Sequence, residues 1–118
     1  MTTILLVDDS STFLEALSYA LKSKTVNVIT ASCVEEALDK LKKIKFDLII
    51  SDYDMGSDNG LSILKFLRNN NDNVKFIMLT GKDSSELKYE VEKAKGIFLD
   101  KGNFDLLKII KEEISNLC

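Results

Sequence analysis

Four apolar runs in this sequence stop on residues that can do chemistry. Ile4-Leu5-Leu6-Val7 ends on Asp8-Asp9, Leu48-Ile49-Ile50-Ser51 on Asp52, Val74 to Leu79 on Thr80-Gly81, and Ile97-Phe98-Leu99-Asp100 on Lys101. Three carboxylates brought into one crevice repel, each like-charge pair costing about 4 kcal/mol at a separation of about 4 Å and an effective dielectric of about 20. A hard divalent cation relieves this, and Mg²⁺, which takes one or two carboxylates and shares a phosphate oxygen, matches best. Lys101 adds a compact positive charge suited to a phosphoryl oxygen. Asp52 can then attack phosphorus and form an acyl phosphate while the cations hold charge on the equatorial oxygens. Thr80 offers a hydroxyl donor, and the Gly81 amide is open to close approach. Taken singly, each residue has a plainer reading: Asp8-Asp9 as a helix-opening turn, Asp52 as a solvated loop acid, Thr80 as a cap, Lys101 as a surface lysine, Gly60 and Gly81 as turns. Their combination at the ends of successive runs is what carries weight.

The elements that must position them follow from the same pattern. Each run is short, rich in β-formers and bounded by turn residues, which predicts a strand buried on both faces. With Val26 to Thr30 there are five. Between them lie helical stripes: Phe13, Leu14, Leu17, Ala20 and Leu21 after candidate N-caps Ser10 and Ser11; Val34, Ala37, Leu38, Leu41 and Ile44 after a capping box at Ser32 to Glu35; and Leu61, Leu64 and Leu67. Leu87, Val91 and Ala94 follow Asp83 to Glu86, and Leu107, Ile110, Ile114 and Leu117 close the chain. Five alternations of strand and helix with short connections predict an α/β fold, a doubly wound parallel sheet in the order 2-1-3-4-5. The switch point then falls between strands one and three, so Asp8, Asp9 and Asp52 converge, with Thr80 and Lys101 on the same edge.

With 118 residues, 45% hydrophobic and 30% charged, the chain is expected to form one domain over residues 1–118. The net charge of −3, with Arg68 the lone arginine among sixteen basic residues, argues against a nucleic-acid surface. Cys33 and Cys118 are too few for a disulfide framework and lack zinc-site spacing, so reduced thiols are expected. Asp8 and Asp9 come too early for a secretory signal, and no apolar run nears the roughly 18 residues of a membrane span. A cytoplasmic protein is the expectation.

The segments LLVDDS, DLIISDYDM, MLTG and FLDK, in this order and at these strand ends, resemble the receiver domain of two-component response regulators over essentially the whole chain. The resemblance implies a flavodoxin-like three-layer αβα fold. It also implies a Mg²⁺-dependent phosphoryl acceptor, loaded by a sensor histidine kinase or phosphotransfer protein, that signals to an output domain or protein. By the same resemblance Asp52 is the phosphoacceptor, Asp9 a direct metal ligand, Asp8 a ligand through water, and Asp54 a metal ligand through its backbone carbonyl. Thr80 is the switch hydroxyl, Lys101 the phosphate-binding lysine, and Phe98 the aromatic that follows the threonine. The chain departs from the family at Gly56 and Gly102, where proline is usual. A cis bond before a non-proline residue costs ~2.5–4 kcal/mol, so Lys101-Gly102 is expected to be trans.

Other functions fit the residues less well. Asp52-Tyr53-Asp54 also resembles the DxD start of haloacid-dehalogenase-type phosphatases, with Asp52 as nucleophile and Asp54 as acid, but that reading leaves Asp8-Asp9 idle. A degenerate receiver that only docks partners has no need of the acids, and a dinucleotide binder needs a G-x-G-x-x-G that is absent. Tyr89 and Ile109 lie off their helices' inward stripes and, with Phe98, form the expected partner surface on helix four, strand five and helix five. Ending at Cys118, the chain is expected to be a stand-alone receiver or one cut from a longer protein, without an output module.

Overall fold

The computed structural model describes residues 1–117; Cys118 lies outside the described residues. Strand β1 (Thr2–Val7) is followed by α1 (Ser11–Leu21), β2 (Val26–Ala31), α2 (Val34–Lys43) and β3 (Leu48–Asp52). A hairpin of two-residue strands, β4 (Asp54–Met55) and β5 (Asp58–Asn59), leads into α3 (Gly60–Asn69), β6 (Lys75–Thr80), α4 (Ser85–Lys93), β7 (Ile97–Asp100) and α5 (Leu106–Ser115). The main sheet is parallel throughout, in the order β2-β1-β3-β6-β7. Because the hairpin stands apart, this is the doubly wound order expected from the sequence.

Continuous apolar runs become strands covered on both faces because alternate side chains leave a strand on opposite sides. Leu5, Val7, Ile49, Phe76 and Met78 enter one core with Val34 and Ala37 of α2, Leu61, Ile63, Leu64 and Leu67 of α3, and Leu87 and Val91 of α4. Ile4, Leu6, Leu48, Ile50, Ile77 and Leu79 enter the other with Leu17 and Leu21 of α1 and Ile110 of α5. The helices therefore divide three to one face and two to the other.

Several local expectations need correction. The cap of α2 is Cys33, whose Sγ accepts from the Glu36 amide, and the Glu36 carboxylate accepts in turn from the Ser32 amide, so the capping box sits one residue later than the sequence pattern suggested. Ile44 is the C-cap of that helix and is 39% exposed, as is Leu107; Leu106 packs inward on α5 in its place. The segment after Asp52 is a hairpin rather than a plain loop, and its turn uses Gly56 at φ +72°, a conformation that suits glycine. Among the described residues no peptide bond is cis, so Lys101-Gly102 is trans as expected.

Candidate functional site

Parallel register carries the ends of the central strands to one edge. Val7 pairs with both Ala31 and Ser51, Asp52 with Leu79, and Thr80 with Asp100. Beyond the strands the backbone stays tied: the Asp8 amide donates to Ala31 O at 3.1 Å, Tyr53 to Leu79 O at 2.8 Å, and Lys101 to Thr80 O at 2.8 Å. Asp52 and Thr80 thus close their strands, and Asp8 and Lys101 follow directly on theirs, all at one edge of the sheet.

Asp8, Asp9 and Asp52 come together there, with one carboxylate oxygen from each lying within 4.8 Å of the others. Asp8 is 2% exposed and Asp52 7%, whereas Asp9 faces solvent. The Lys101 ammonium donates to Asp8 Oδ2 at 2.6 Å and stands 3.8 Å from Asp52 Oδ1. One lysine against three acids leaves an excess of negative charge. Burial, reinforced by the neighbouring Asp8 charge, pushes the Asp52 carboxyl up to about 6; Lys101 and the Tyr53 amide pull it back and Asp9 adds a smaller upward push. The donor set, hard carboxylate oxygens with uncompensated charge, fits a divalent cation of the magnesium type.

Gly60 sets the floor of this site, a role that reading it as a turn marker misses. A methyl group there would meet Asp52 O at 2.5 Å, Ser51 Oγ at 2.7 Å and Met78 Sδ at 2.9 Å. The N-terminus of α3 therefore packs against the Asp52 backbone only because residue 60 has no side chain. Its amide donates to Tyr53 O at 2.9 Å, and Ser51 Oγ, fully buried, donates to Asp52 O at 2.9 Å. Repeated close contact of this kind leaves no trace in periodicity.

The remaining expected residues are placed less uniformly. Thr80 is buried at the end of β6, and its Oγ1 accepts from the Lys82 amide at 3.0 Å. The space beside Gly81 is open. Asp54 turns its exposed carboxylate to Lys82, with Nζ to Oδ2 at 3.2 Å, and stands outside the acid cluster. Phe98 is half-buried and packs on the α2-α3-α4 core, while Tyr89 on α4 is 65% exposed and Ile109 on α5 is half-buried without joining either core.

Comparison with known proteins agrees with this arrangement. Residues 4–110 match the family model for the response regulator receiver domain. The chain is 40% identical over 80 residues to the alkaline phosphatase synthesis transcriptional regulatory protein PhoP of Bacillus subtilis, a match covering 68% of this chain and 33% of PhoP. It is 34% identical over 95 residues to the sensory transduction protein LytT of Bacillus anthracis, covering 78% of this chain and 39% of LytT. The matches thus span between about a third and two-fifths of these relatives. Among solved structures, the chemotaxis response regulator CheY4 of Vibrio cholerae superposes with a TM-score of 0.85 at 29% identity, covering 100% of this chain and 99% of CheY4. TrrA of Thermotoga maritima, solved in complex with Mg²⁺-BeF, does so at 0.82 and 30%, covering 100% of both chains. Nothing among these matches supports the phosphatase alternative. Sequence, topology and the acid crevice at the strand ends converge on one assignment, and the chain belongs to the receiver domain family of two-component response regulators.

Proposed function

We propose that this receiver, as one domain over residues 1–118, accepts a single phosphoryl group on Asp52 and passes the change to a surface built from α4, β7 and α5. The observation that carries the reading is the buried Asp52 carboxylate set between two further acids and the Lys101 ammonium. Asp9 would hold Mg²⁺ directly, together with Asp52 and the Asp54 carbonyl, and Asp8 would hold it through water; bound there, the ion neutralises the acids and draws charge from phosphoryl oxygens. TrrA, of the same family, binds Mg²⁺-BeF, which supports this choice of ion.

In the transfer, an Asp52 oxygen bonds to phosphorus as the bond from phosphorus to the donor's leaving group breaks, the electron pair departing with that group. Lys101 stabilises an equatorial oxygen, and Thr80, released from the Lys82 amide, donates its hydroxyl to another. Asp52 must be ionised to attack, and with its pKa near 6 it is so at neutral pH. The donor is a histidine kinase or phosphotransfer protein, and the receiver of the signal is an output domain or protein. The chain acts as a stoichiometric acceptor that assists its own loading, rather than as a turnover enzyme. Its family membership supports a cytoplasmic setting, with no nucleic-acid or membrane contact of its own; no helix among the described residues is long and apolar enough to cross a membrane.

Intact mass after incubation with an acyl phosphate and Mg²⁺ tests the acceptor. Wild type should gain one phosphoryl group and Asp52→Asn none; equal labelling of the two refutes the assignment, and many turnovers of an added phosphate ester would restore the phosphatase reading. The output surface is tested by amide resonances under a phosphoryl mimic with Mg²⁺. Movement of Thr80 toward the phosphoryl group lets Phe98 turn inward, so Thr80, Phe98, Tyr89 and Ile109 should shift more than residues 34–44. Larger shifts in α2 would place the output elsewhere.

A further inference from the structure

Phe13, on the buried-side stripe of α1, also faces the site. Its ring lies under the Lys101 ammonium, with Nζ 4.2 Å from the centroid, well inside cation–π range. Four contacts close into a ring around this lysine. Asp8 Oδ1 accepts from the Ser10 amide at 2.8 Å, Ser10 Oγ accepts from the Phe13 amide at 3.3 Å, Phe13 meets Lys101, and Lys101 donates to Asp8 Oδ2. The helix cap and the lysine are thereby held by the same acid.

The two partners of Lys101 hold it differently. A carboxylate fixes the ammonium in direction, whereas the face of an aromatic ring attracts a cation over a broad area. Asp52 Oδ1 is only 3.8 Å from Nζ, so a small displacement across the ring carries the lysine from Asp8 toward anything bonded to Asp52. Resting on the phosphorylation reading, we propose that Phe13 is a positioning residue for that transfer: its ring seats Lys101 beside Asp52 and lets it slide from Asp8 to a phosphoryl oxygen without swinging into solvent.

Two measurements test the seat. The first needs neither metal nor phosphorylation. Lys101 side-chain methylene protons should lie upfield of those of other lysines because of the ring current, a shift lost in Phe13→Leu and kept in Phe13→Tyr; its absence in wild type overturns the proposal. The second is the rate of labelling by an acyl phosphate with Mg²⁺. Phe13→Leu should slow it about two- to fivefold, Phe13→Tyr should restore it, and in a Lys101→Ala background Phe13→Leu should have no further effect. An equal cost with and without Lys101, or no rescue by tyrosine, means that Phe13 serves packing alone. Should wild type take no phosphoryl group, the acceptor reading fails and the proton shifts alone decide whether the seat exists.

Discussion

All five residues of β3, which carries Asp52, are buried, whereas none of the four residues of β7, which leads to Lys101, is fully buried. The helices differ in the same sense: α3 buries Gly60, Leu61, Ile63, Leu64 and Leu67 beside the acid, and α5 buries Ile110 alone. Asp8 and Asp52 are thus set into the well-buried half of the sheet and Lys101 beyond its less buried edge strand. Under the proposed function this asymmetry suits a fixed nucleophile at Asp52 and a lysine free to shift toward a phosphoryl oxygen.

The sharpest test of the contrast is a pair of glycines. Gly60→Ala forces a methyl group into the Asp52 backbone and should cost about 3 kcal/mol, whereas a methyl at Gly102 meets only Asp100 Oδ1 at 3.6 Å and should cost little. Urea denaturation of both variants measures the difference; similar midpoints would erase it.

Next in size is the penalty of the acid itself. The folded chain holds the Asp52 proton more tightly than the unfolded chain, whose carboxyl titrates near 3.8. Below that pH both states are protonated and the group contributes nothing; between pH 4 and 6 stability falls as pH rises, and above 6 the full cost is present. Asp52→Asn should thus be more stable than wild type by on the order of 2 kcal/mol at pH 7.5 without Mg²⁺, and the gap should narrow at pH 4.5. Thermal melts at both values check it. Millimolar Mg²⁺ should raise the wild-type midpoint and narrow the gap at pH 7.5 as well, since a ligand that prefers the folded state stabilises it; no change would speak against the acid cluster as a cation site.

Arg68 extends the rigid half away from the site. Its guanidinium, held below its usual pKa by burial, donates to the carbonyls of Ala94, Asp72, Val74 and Lys95 and so ties the end of α3 to the end of α4. Arg68→Ala should cost roughly 2 kcal/mol because it strands several carbonyls, and lysine, lacking the planar fork, should not restore it. A loss under half that size would mean that water replaces the donors. Smallest of all should be the exposed Lys82–Asp54 pair, whose removal by Lys82→Ala should change stability by less than about 1 kcal/mol.

These contacts also mark what a sequence discloses. The strands, their order and the convergence of Asp8, Asp9, Asp52 and Lys101, with Thr80 ending β6 on the same edge, were legible because burial on both faces writes itself as unbroken apolar runs, and each run stops at that edge. Arg68 was visible only as a lone arginine and Phe13 only as a member of a stripe. Their partners are carbonyls and an ammonium contributed by distant segments, and no local pattern encodes them. Gly60 likewise resembles any turn glycine until its distance to Asp52 is known. The inward assignment of Leu107 failed because Leu106 and Leu107 fit the stripe of α5 almost equally well, and docking on the sheet selects between them.

The pairing of Asp8 with Lys101 joins residues 93 positions apart, across nearly the whole chain. Its consequence is kinetic. Strands β1 and β3 can meet, and their acids begin to repel, well before β7 arrives with the charge that relieves them. The entropy of closing so long a loop grows only slowly with length, but it must be met before the contact rewards it, which favours contacts nearer in sequence forming first. Removing the lysine should therefore leave the folding limb of the chevron almost unmoved and steepen the loss on the unfolding side, a φ-value near zero for Lys101→Ala. A slowed folding limb would mean that the last strand docks early, and that the site is assembled during the rate-limiting step rather than after it.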